Sequence, residues 1–233
     1  MDEVAYSKRY ARNHDAFTRE EGEKFARFRV LVVGCGGLGG YVIEHLGRLG
    51  IGHITAVDGD CFEETNLNRQ LLCTEELLGK PKALAAKERM AQVNREVEVI
   101  PLVQRVTEKN VDEILKDHHI AIDALDNIES RFVLEEGCQR AGIPMVHGAI
   151  GGWYGQVGVS FPGKPLLPKI YGRDRDKGME EEMGNPSFTP GIIAGVQVAL
   201  CMKVLLNKGE DLAGRLLTID LENMDFISFL QED

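Results

Sequence analysis

Apolar residues recur along this chain in two alternating patterns, and the alternation predicts a parallel sheet covered by helices. The run 29–33 is continuous in Val and Leu, as expected for a strand buried on both faces. A glycine-rich turn follows, and then Leu38, Val42 and Leu46 recur at helical spacing. A second apolar run ends in Asp58. This order of strand, turn, helix and strand is typical of one half of an α/β fold.

The same alternation continues towards the C-terminus. Further strands are predicted at 97–100, 120–125, 145–148, 153–161, 215–221 and 225–230, and helices at 19–28, 81–93, 111–116, 128–141 and 190–204. The strand 153–161 alternates, which predicts an antiparallel strand with one exposed face. Thr189 and Pro190 predict the N-cap and the first residue of the last long helix. We expect a single α/β domain over 1–233, Rossmann-like, with a mostly parallel sheet, helices on both faces and an antiparallel C-terminal extension.

Composition and charge narrow the classes of function. The 233 residues are 43% hydrophobic, enough for one full core. A net charge of −10 and a pI of about 5.2 argue against a nucleic-acid partner or an anionic membrane. The acidic N-terminus has no signal core, and five cysteines without close spacing fit a reducing compartment. We therefore expect a cytoplasmic protein.

The glycine turn is the first candidate for chemistry. Gly34, Gly36, Gly37 and Gly39 form a G-x-G-G-x-G motif between the first strand and its helix, where backbone N–H groups bind phosphate. Asp58, at the tip of the next strand, is suited to accept hydrogen bonds from both ribose hydroxyls. Glycines that serve only a tight strand-to-helix crossing are the alternative explanation. The motif and Asp58 together predict a nucleotide site.

An ordered set of polar residues follows Asp58 and favours a triphosphate over a dinucleotide. The set comprises Asp60, Asn66, Arg69, Gln70 and Lys82. Cations aimed at phosphate oxygens are what transfer at a phosphorus atom requires. An NAD-dependent dehydrogenase has no need of this arrangement. A solvated surface accounts for one such residue but not for the ordered set.

The run 30–82, with later motifs at 123–127 and 189–191, resembles the ThiF/MoeB/HesA family of ubiquitin-activating-type adenylyltransferases. The resemblance covers nearly the whole chain in order. It implies ATP and Mg²⁺ as cofactors, and it implies that Asn66, Arg69, Gln70 and Lys82 contact the triphosphate.

Two further roles are implied by the resemblance. Asp126 would bind Mg²⁺; the alternative is that Asp126 or Asn127 caps the helix that begins near Ile128. Arg12, in an N-terminal helical segment over 1–28, would reach the phosphates of the partner subunit in a homodimer. The alternative for Arg12 is a solvated helix face.

The segment 162–189 is rich in Pro, Gly and charge. By resemblance it is a crossover loop through which the C-terminal tail of a ubiquitin-like protein reaches ATP; a charged loop without a task is the alternative. Relatives that carry structural zinc use paired C-x-x-C motifs, whereas this chain has no cysteine between Cys138 and Cys201. We therefore expect no structural zinc. Cys35 is predicted to be sensitive to alkylation, and Asp123 to be a buried, hydrogen-bonded acid of unassigned role.

The expected function is adenylylation of the C-terminal glycine of a ThiS- or MoaD-type sulfur carrier with a Gly-Gly tail, with release of pyrophosphate. Arg69, Lys82, Asp126 and Arg12 are the expected catalytic residues. The alternatives are the same chemistry on a small-molecule, peptide or tRNA-borne carboxylate, an NAD-dependent oxidoreductase, and a noncatalytic ATP-binding scaffold. The sequence does not distinguish a thiamine pathway from one for a molybdenum or tungsten cofactor.

Overall fold

The structure is a computed structural model that describes residues 8–13, 15–171 and 183–230. The strands are β1 (Arg29–Val33), β2 (His53–Val57), β3 (Glu98–Leu102), β4 (Ile120–Asp123), β5 (Met145–Gly151), β6 (Tyr154–Ser160), β7 (Arg215–Asp220) and β8 (Asp225–Leu230). The helices are α1 (Arg19–Phe25), α2 (Gly37–Leu49), α3 (Lys82–Val93), α4 (Val111–Leu115), α5 (Ile128–Ala141), α6 (Leu167–Ile170) and α7 (Phe188–Leu205). Short 3₁₀ turns lie at Lys8–Asn13, Glu64–Asn66, Glu75–Leu77 and Glu210–Leu212.

The strands form one sheet of eight, in the order β3-β2-β1-β4-β5-β6-β7-β8. Strands β1 to β5 are parallel, and β6, β7 and β8 add antiparallel neighbours. Val33 pairs with Val57 on one side and with Asp123 on the other, so three strands end together. The strand order reverses between β1 and β4, and ligands bind in the crevice at such a point. The expected fold class is confirmed.

Helices cover both faces of the sheet and divide the apolar residues into two cores. Val30 and Val32 point to the core under α2, α3 and α7, whereas Leu31 and Val33 point to the core under α4 and α5. Both faces of β1 are buried, which explains its continuous apolar run.

Helix α7 is long and apolar enough, by length and composition, to cross a membrane. In this fold it lies against α2, β5 and β6 as a core helix, with Ile193, Val198 and Met202 buried. The first turn of the helix differs from the prediction. Its N-cap position is Ser187, and the Thr189 hydroxyl instead donates to Gly152 O at 2.7 Å.

The prediction of a half-exposed face on β6 is wrong. The strand pairs with β5 and β7, and all but two of its residues are buried. A Cβ at Gly155 would lie 2.2 Å from Ile193 Cδ1 of α7, and one at Gly158 would lie 2.6 Å from Leu166 Cδ2. Side chains from neighbouring elements therefore occupy the space beside the glycines and cover the strand. The alternation in the sequence arises from the glycine positions and not from a solvent-exposed face.

Candidate nucleotide site

A cleft of ≈ 740 Å³ opens at the carboxyl ends of the parallel strands β1, β2 and β4. It is mostly polar, and it brings together glycines, carboxylates and cations that are far apart in sequence. Its lining includes Gly34, Gly36, Gly37, Asp58, Asp60, Arg69, Gln70, Lys82, Gln104, Arg105, Asp126, Arg131 and Asn185. Most of the residues expected to bind nucleotide therefore share one cavity.

The glycine turn forms one wall of this cleft. Gly34 has φ +96°, and a Cβ there would lie 2.4 Å from Ala124 O, so both its conformation and its space require glycine. Gly36 is the N-cap residue of α2, and no side chain caps the helix. The first N–H groups of α2 are thus left for a ligand, and they favour an anion.

Gly39 contributes to packing behind the glycine turn and does not face the cavity. A Cβ at Gly39 would lie 1.8 Å from Gly34 O, so Gly39 lets α2 pack against the turn that precedes it. It is buried and does not line the cleft. Among the glycines expected to bind nucleotide, Gly39 is therefore the one that acts through packing.

Asp58 lies at the end of β2 beside the glycine turn. Its Oδ2 accepts the N–H of Cys35 at 2.7 Å, and its Oδ1 accepts the N–H of Asp60 at 2.8 Å. Burial raises the pKa of the Asp58 carboxyl, and the two backbone N–H groups oppose that shift. The carboxylate is thus held rigidly at the place where a ribose would bind.

Asp60 is a carboxylate that contacts two cations. Arg105 Nη2 lies 2.8 Å from Asp60 Oδ1, and Lys82 Nζ lies 3.8 Å from Asp60 Oδ2. Lys82 is in the first turn of α3, as expected, and its side chain is almost buried. Arg105 was not identified from the sequence. It follows β3 in a loop whose backbone lies close to Gly59, a contact that only tertiary structure creates.

Arg69 and Gln70 line the cleft beside the glycine turn, close to Gly37 and Gly36 respectively. Arg69 Nη1 donates to Thr65 O at 3.0 Å and to Asn68 Oδ1 at 2.9 Å, and Asn68 Nδ2 donates to Asn185 O at 3.0 Å. Gln70 is buried, and its Oε1 has no hydrogen-bond partner among the described residues. Gln70 therefore presents a buried hydrogen-bond acceptor in the wall of the cleft.

Asn127, and not Asp126, caps the helix that follows β4. Asn127 Oδ1 accepts the N–H of Ser130 at 2.8 Å and is the N-cap of α5. Asp126 is exposed at the cleft and contacts Asn127 Nδ2 at 3.3 Å. Because Asn127 caps the helix, the Asp126 carboxylate is available to a ligand.

Two residues that were expected to contact the nucleotide, Asn66 and Arg12, do not line the cleft. Asn66 Oδ1 accepts the N–H of Glu63 at 3.0 Å, so its side chain stabilises the turn before Arg69. Arg12 is exposed in the N-terminal 3₁₀ turn and is not part of the cavity lining. Within one chain, Arg12 therefore does not contribute to this site.

Cys35, which was expected to be sensitive to alkylation because it lies close to the nucleotide turn, has an inaccessible thiol. Its side chain is fully buried, and burial raises its pKa well above the ordinary value for a thiol. The prediction that it is sensitive to alkylation is wrong, because the side chain points into the core while only its backbone faces Asp58. Cys61 is the exposed cysteine among the described residues.

A buried polar cluster beneath the cleft was missed by sequence reasoning. Asp123 is fully buried, as expected, and its Oδ2 accepts from His147 Nδ1 at 2.7 Å. Arg131 is buried next to it, with its Nε 3.8 Å from Asp123 Oδ2. An isolated acid in a strand and an arginine in a helix carry no sequence signal of such a pairing.

The described residues contain no group of three or more His, Cys, Asp or Glu side chains that could hold a metal ion. A Mg²⁺ ion that travels with a nucleotide needs only one or two carboxylates, since phosphate oxygens and water supply the rest. The exposed carboxylate of Asp126 fits that requirement.

Fold and site together define an α/β protein whose candidate nucleotide cleft brings a glycine turn together with several cations. The model of the ThiF family matches residues 10–232. The chain belongs to the ThiF family and is an ATP-dependent adenylyltransferase.

Curated relatives match over most of their length. The chain is 36% identical over 201 residues to the SAMP-activating enzyme E1 of Haloferax volcanii, covering 85% of this chain and 74% of that one. It is 35% identical to the sulfur carrier protein adenylyltransferase of Thermus thermophilus, covering 89% and 80%. It is 29% identical to the molybdopterin-synthase adenylyltransferase of Salmonella typhimurium, covering 90% and 86%.

Solved structures share the fold at lower identity. A crystal structure of PaaA has a TM-score of 0.82 at 19% identity and covers all of this chain and 86% of its own. A crystal structure of E. coli MccB with ATP has a TM-score of 0.79 at 21% identity and covers 98% of this chain and 72% of its own. These likenesses support the Rossmann-type architecture.

Proposed function

We propose that this enzyme adenylylates the C-terminal glycine of a ubiquitin-like sulfur-carrier protein of the ThiS or MoaD type, for sulfur incorporation in cofactor biosynthesis. The observation that carries the proposal is the cleft itself: uncapped N–H groups of α2, the Asp58 carboxylate, and the cations Arg69 and Lys82 share one cavity with Asp126. The names of the relatives in Haloferax volcanii, Thermus thermophilus and Salmonella typhimurium support the choice of carrier.

The chemistry follows from the charges. The carrier's terminal carboxylate is already ionised at neutral pH, so no protein base is needed. One carboxylate oxygen attacks the α-phosphorus of ATP in line, a new P–O bond forms, and the bond to the bridging oxygen breaks as pyrophosphate leaves. Arg69 and Lys82 neutralise the phosphate oxygens during this change, and Asp58 holds the ribose so that the α-phosphorus is presented to the attacking oxygen.

Asp126 would hold Mg²⁺, which supplies charge neutralisation at phosphate oxygens when bound. The exposed carboxylate follows the end of β4, the strand next to β1, and lines the same cleft as the glycine turn. Asp60 stays with Arg105 and Lys82 and sets the position of these two cations at the cleft.

An apolar surface suited to a carrier lies at the antiparallel end of the sheet. Strand β8 is the last strand of the sheet, and it exposes Phe226 on one face and Ile227 and Phe229 on the other. Met224, in the turn before it, is 69% exposed. Exposed apolar side chains on an edge strand mark a binding surface. We assign this surface, residues 224–229, to the folded body of the carrier, whose tail would run along the crossover loop, 162–189, to the cleft.

Arg12 enters this scheme from a second subunit. It is exposed and does not line the cleft of its own chain, so the proposed phosphate contact requires a homodimer. The test is to mix Arg12→Ala chains with Lys82→Met chains. Each variant alone is inactive in the scheme, whereas a mixed dimer contains one complete site of two. Because about half of the dimers in an equimolar mixture are mixed, the mixture recovers about a quarter of wild-type activity. No recovery in verified mixed dimers contradicts the role of Arg12.

ATP–pyrophosphate exchange tests the function directly. The wild-type enzyme is assayed with a purified ThiS-type or MoaD-type carrier ending in Gly-Gly, and with the same carrier lacking its last glycine. We expect exchange only with the intact tail. Asp126→Ala abolishes it, whereas Asp112→Ala, which removes an exposed carboxylate paired with Arg140, does not.

Other outcomes identify the alternatives. Exchange driven by a free peptide or amino acid, and not by a carrier, assigns the enzyme to a different carboxylate. ATP binding without exchange for any acceptor indicates a noncatalytic scaffold.

A further inference from the structure

A closed ring of hydrogen bonds lies directly beneath the turn that carries Asp126. Tyr171 O–H donates to His147 Nε2 at 3.2 Å, and His147 Nδ1–H donates to Asp123 Oδ2 at 2.7 Å. Asp123 Oδ1 accepts the N–H of Leu125 at 3.0 Å. Arg131 closes the ring, since it donates to Leu125 O and, through Nη1, to the Tyr171 hydroxyl at 2.8 Å.

The ring holds both peptide groups of Leu125. Asp123 holds the N–H, and Arg131 holds the carbonyl oxygen with two donors, Nε at 3.2 Å and Nη2 at 2.6 Å. The residue that follows is Asp126. Because buried charged side chains hold the peptide groups next to Asp126, the turn has little conformational freedom. The Asp126 carboxylate is therefore kept at the cleft.

Three of the four ring residues are buried, Tyr171 is partly buried, and the proton positions of the ring are mutually consistent. Asp123 and His147 are fully buried, and Arg131 is 1% exposed. Burial lowers the pKa of His147, while its bond to Asp123 opposes that shift. A neutral imidazole that donates from Nδ1 must accept at Nε2, which is where the Tyr171 hydroxyl lies. Tyr171 also accepts from Gln156 Nε2 at 2.8 Å, so the ring is tied to β6 as well.

We propose that Asp123, His147, Arg131 and Tyr171 are positioning residues that hold the 124–126 turn and thereby place the Asp126 carboxylate for its metal-bound phosphate. This inference rests on the proposed function of Asp126. Tyr171 lies within the expected crossover loop, 162–189, so the ring also joins the start of that segment to the metal-binding turn. The carboxylate is thus placed by residues from β4, α5, β5 and the segment after α6.

The variants Tyr171→Phe and Arg131→Lys test the ring. Tyr171→Phe removes the hydroxyl and keeps the aromatic ring, and Arg131→Lys keeps the charge but loses the forked contact with Leu125 O. The control is Glu44→Gln, which disturbs a buried carboxylate bonded to Arg48 and Arg89 on α2 and α3. This control also weakens a buried polar contact, but at a residue that does not contact the 124–126 turn.

Two readouts are measured on the free protein and on its complex with a nonhydrolysable ATP analogue. The first is the rate of hydrogen exchange at the Leu125 amide. We expect this rate to rise about tenfold or more in both ring variants, because a hydrogen bond to a charged group is weakened. The second is the factor by which Mg²⁺ tightens binding of the analogue. We expect that factor to fall in both ring variants and to stay at the wild-type value in Glu44→Gln.

The two proposals fail in different ways. The positioning role is overturned if the Leu125 amide exchanges hydrogen at the wild-type rate in both ring variants. It is also overturned if exchange is faster but Mg²⁺ still tightens analogue binding by the wild-type factor. If Asp126→Ala keeps the full Mg²⁺ factor while the ring variants lose it, the ring acts on metal binding through another residue, and the role proposed here through Asp126 is overturned. If no carrier supports exchange but the ring variants and Asp126→Ala all lose the Mg²⁺ factor, the carrier proposal fails and the positioning role stands.

Discussion

The Asp58 carboxylate accepts the backbone N–H of Cys35 at 2.7 Å and so ties the end of β2 to the glycine turn after β1. The two residues belong to neighbouring parallel strands whose ends meet at the cleft. One hydrogen bond therefore joins the proposed ribose-binding carboxylate to the turn proposed to bind phosphates. The relative position of the two halves of the nucleotide site depends on this contact.

The first prediction concerns Asp58. We expect Asp58→Asn to weaken ATP binding about ten- to a hundredfold, since a hydrogen bond to an ionised group is lost. In the wild type, ATP affinity falls as the pH is lowered through the pKa of Asp58. Because burial raises that pKa, the fall begins above the range of an ordinary aspartate. Calorimetric titration across pH measures both effects, with Asp211→Asn as the control. Equal affinity in the Asp58 variant rules out its role.

The second prediction separates catalysis from folding at Lys82. Lys82→Met keeps an unbranched, nearly buried side chain that is one atom shorter, and it removes the charge. We expect carrier-dependent ATP–pyrophosphate exchange to fall about a hundredfold or more, as when one donor to a developing charge is removed. Lys80→Met, an exposed lysine nearby in sequence, serves as the matched control. Equal losses in the two variants point to a general electrostatic effect rather than to a contact with phosphate.

The third prediction tests the packing of the glycine turn. Gly39→Ala places a Cβ 1.8 Å from Gly34 O, a backbone atom that has no room to move. We expect a loss of about 3 kcal/mol in the free energy of unfolding. Gly195→Ala in α7 meets nothing within 4 Å, so we expect it to stabilise by up to about 1 kcal/mol. Denaturant unfolding of both variants measures the difference, and similar stabilities contradict the close approach of α2 to the turn.

The fourth prediction concerns acid stability. Burial lowers the pKa of His147, His118 and His45, so the unfolded chain binds protons at these residues more readily than the folded one. The free energy of unfolding is therefore at its full value above the ordinary histidine pKa and falls as the pH drops below it. Urea unfolding between neutral pH and mildly acid pH measures the slope. We expect a shallower slope in His147→Gln, and an unchanged slope removes His147 as a contributor.

The fifth prediction addresses the exposed strand β8. We expect Ile227→Ser combined with Phe229→Ser, two side chains on one face of the strand, to weaken carrier binding at least about tenfold, as for side chains that anchor an interface, while ATP affinity stays unchanged. Both residues are about half exposed, so the fold tolerates the change. Binding is measured separately for carrier and for ATP. Tight carrier binding in the double variant moves the docking surface elsewhere.

Much of the fold follows from local sequence pattern. The apolar run 29–33, the glycine motif and the helical spacing after it each depend on neighbours in the chain, and all three lie where they were predicted. The errors arose where tertiary contacts replaced local rules. The side chain of Thr189 bonds to Gly152 O instead of capping its helix, and β6 is covered on the faces where its glycines leave room.

The site was predicted only in part for the same reason. Motif residues such as Asp58 and Lys82 are recognisable because their spacing from the glycine turn is short and regular. Arg105 and Asn185 come from distant loops and line the same cleft. No local pattern marks them, because their role depends on which strand ends are neighbours.

The sequence by itself determined the α/β class, the glycine turn between β1 and α2 and the order of the cations that follow, since each depends on periodicity or on residues close together in the chain. Tertiary structure alone decided that Asn127 caps α5 and leaves Asp126 at the cleft. It also decided that Asp123 meets His147, a pairing of parallel strands β4 and β5. Such contacts depend on the order of the strands in the sheet. That order is a property of the whole chain, because burial of apolar residues and the geometry of the connections determine it together.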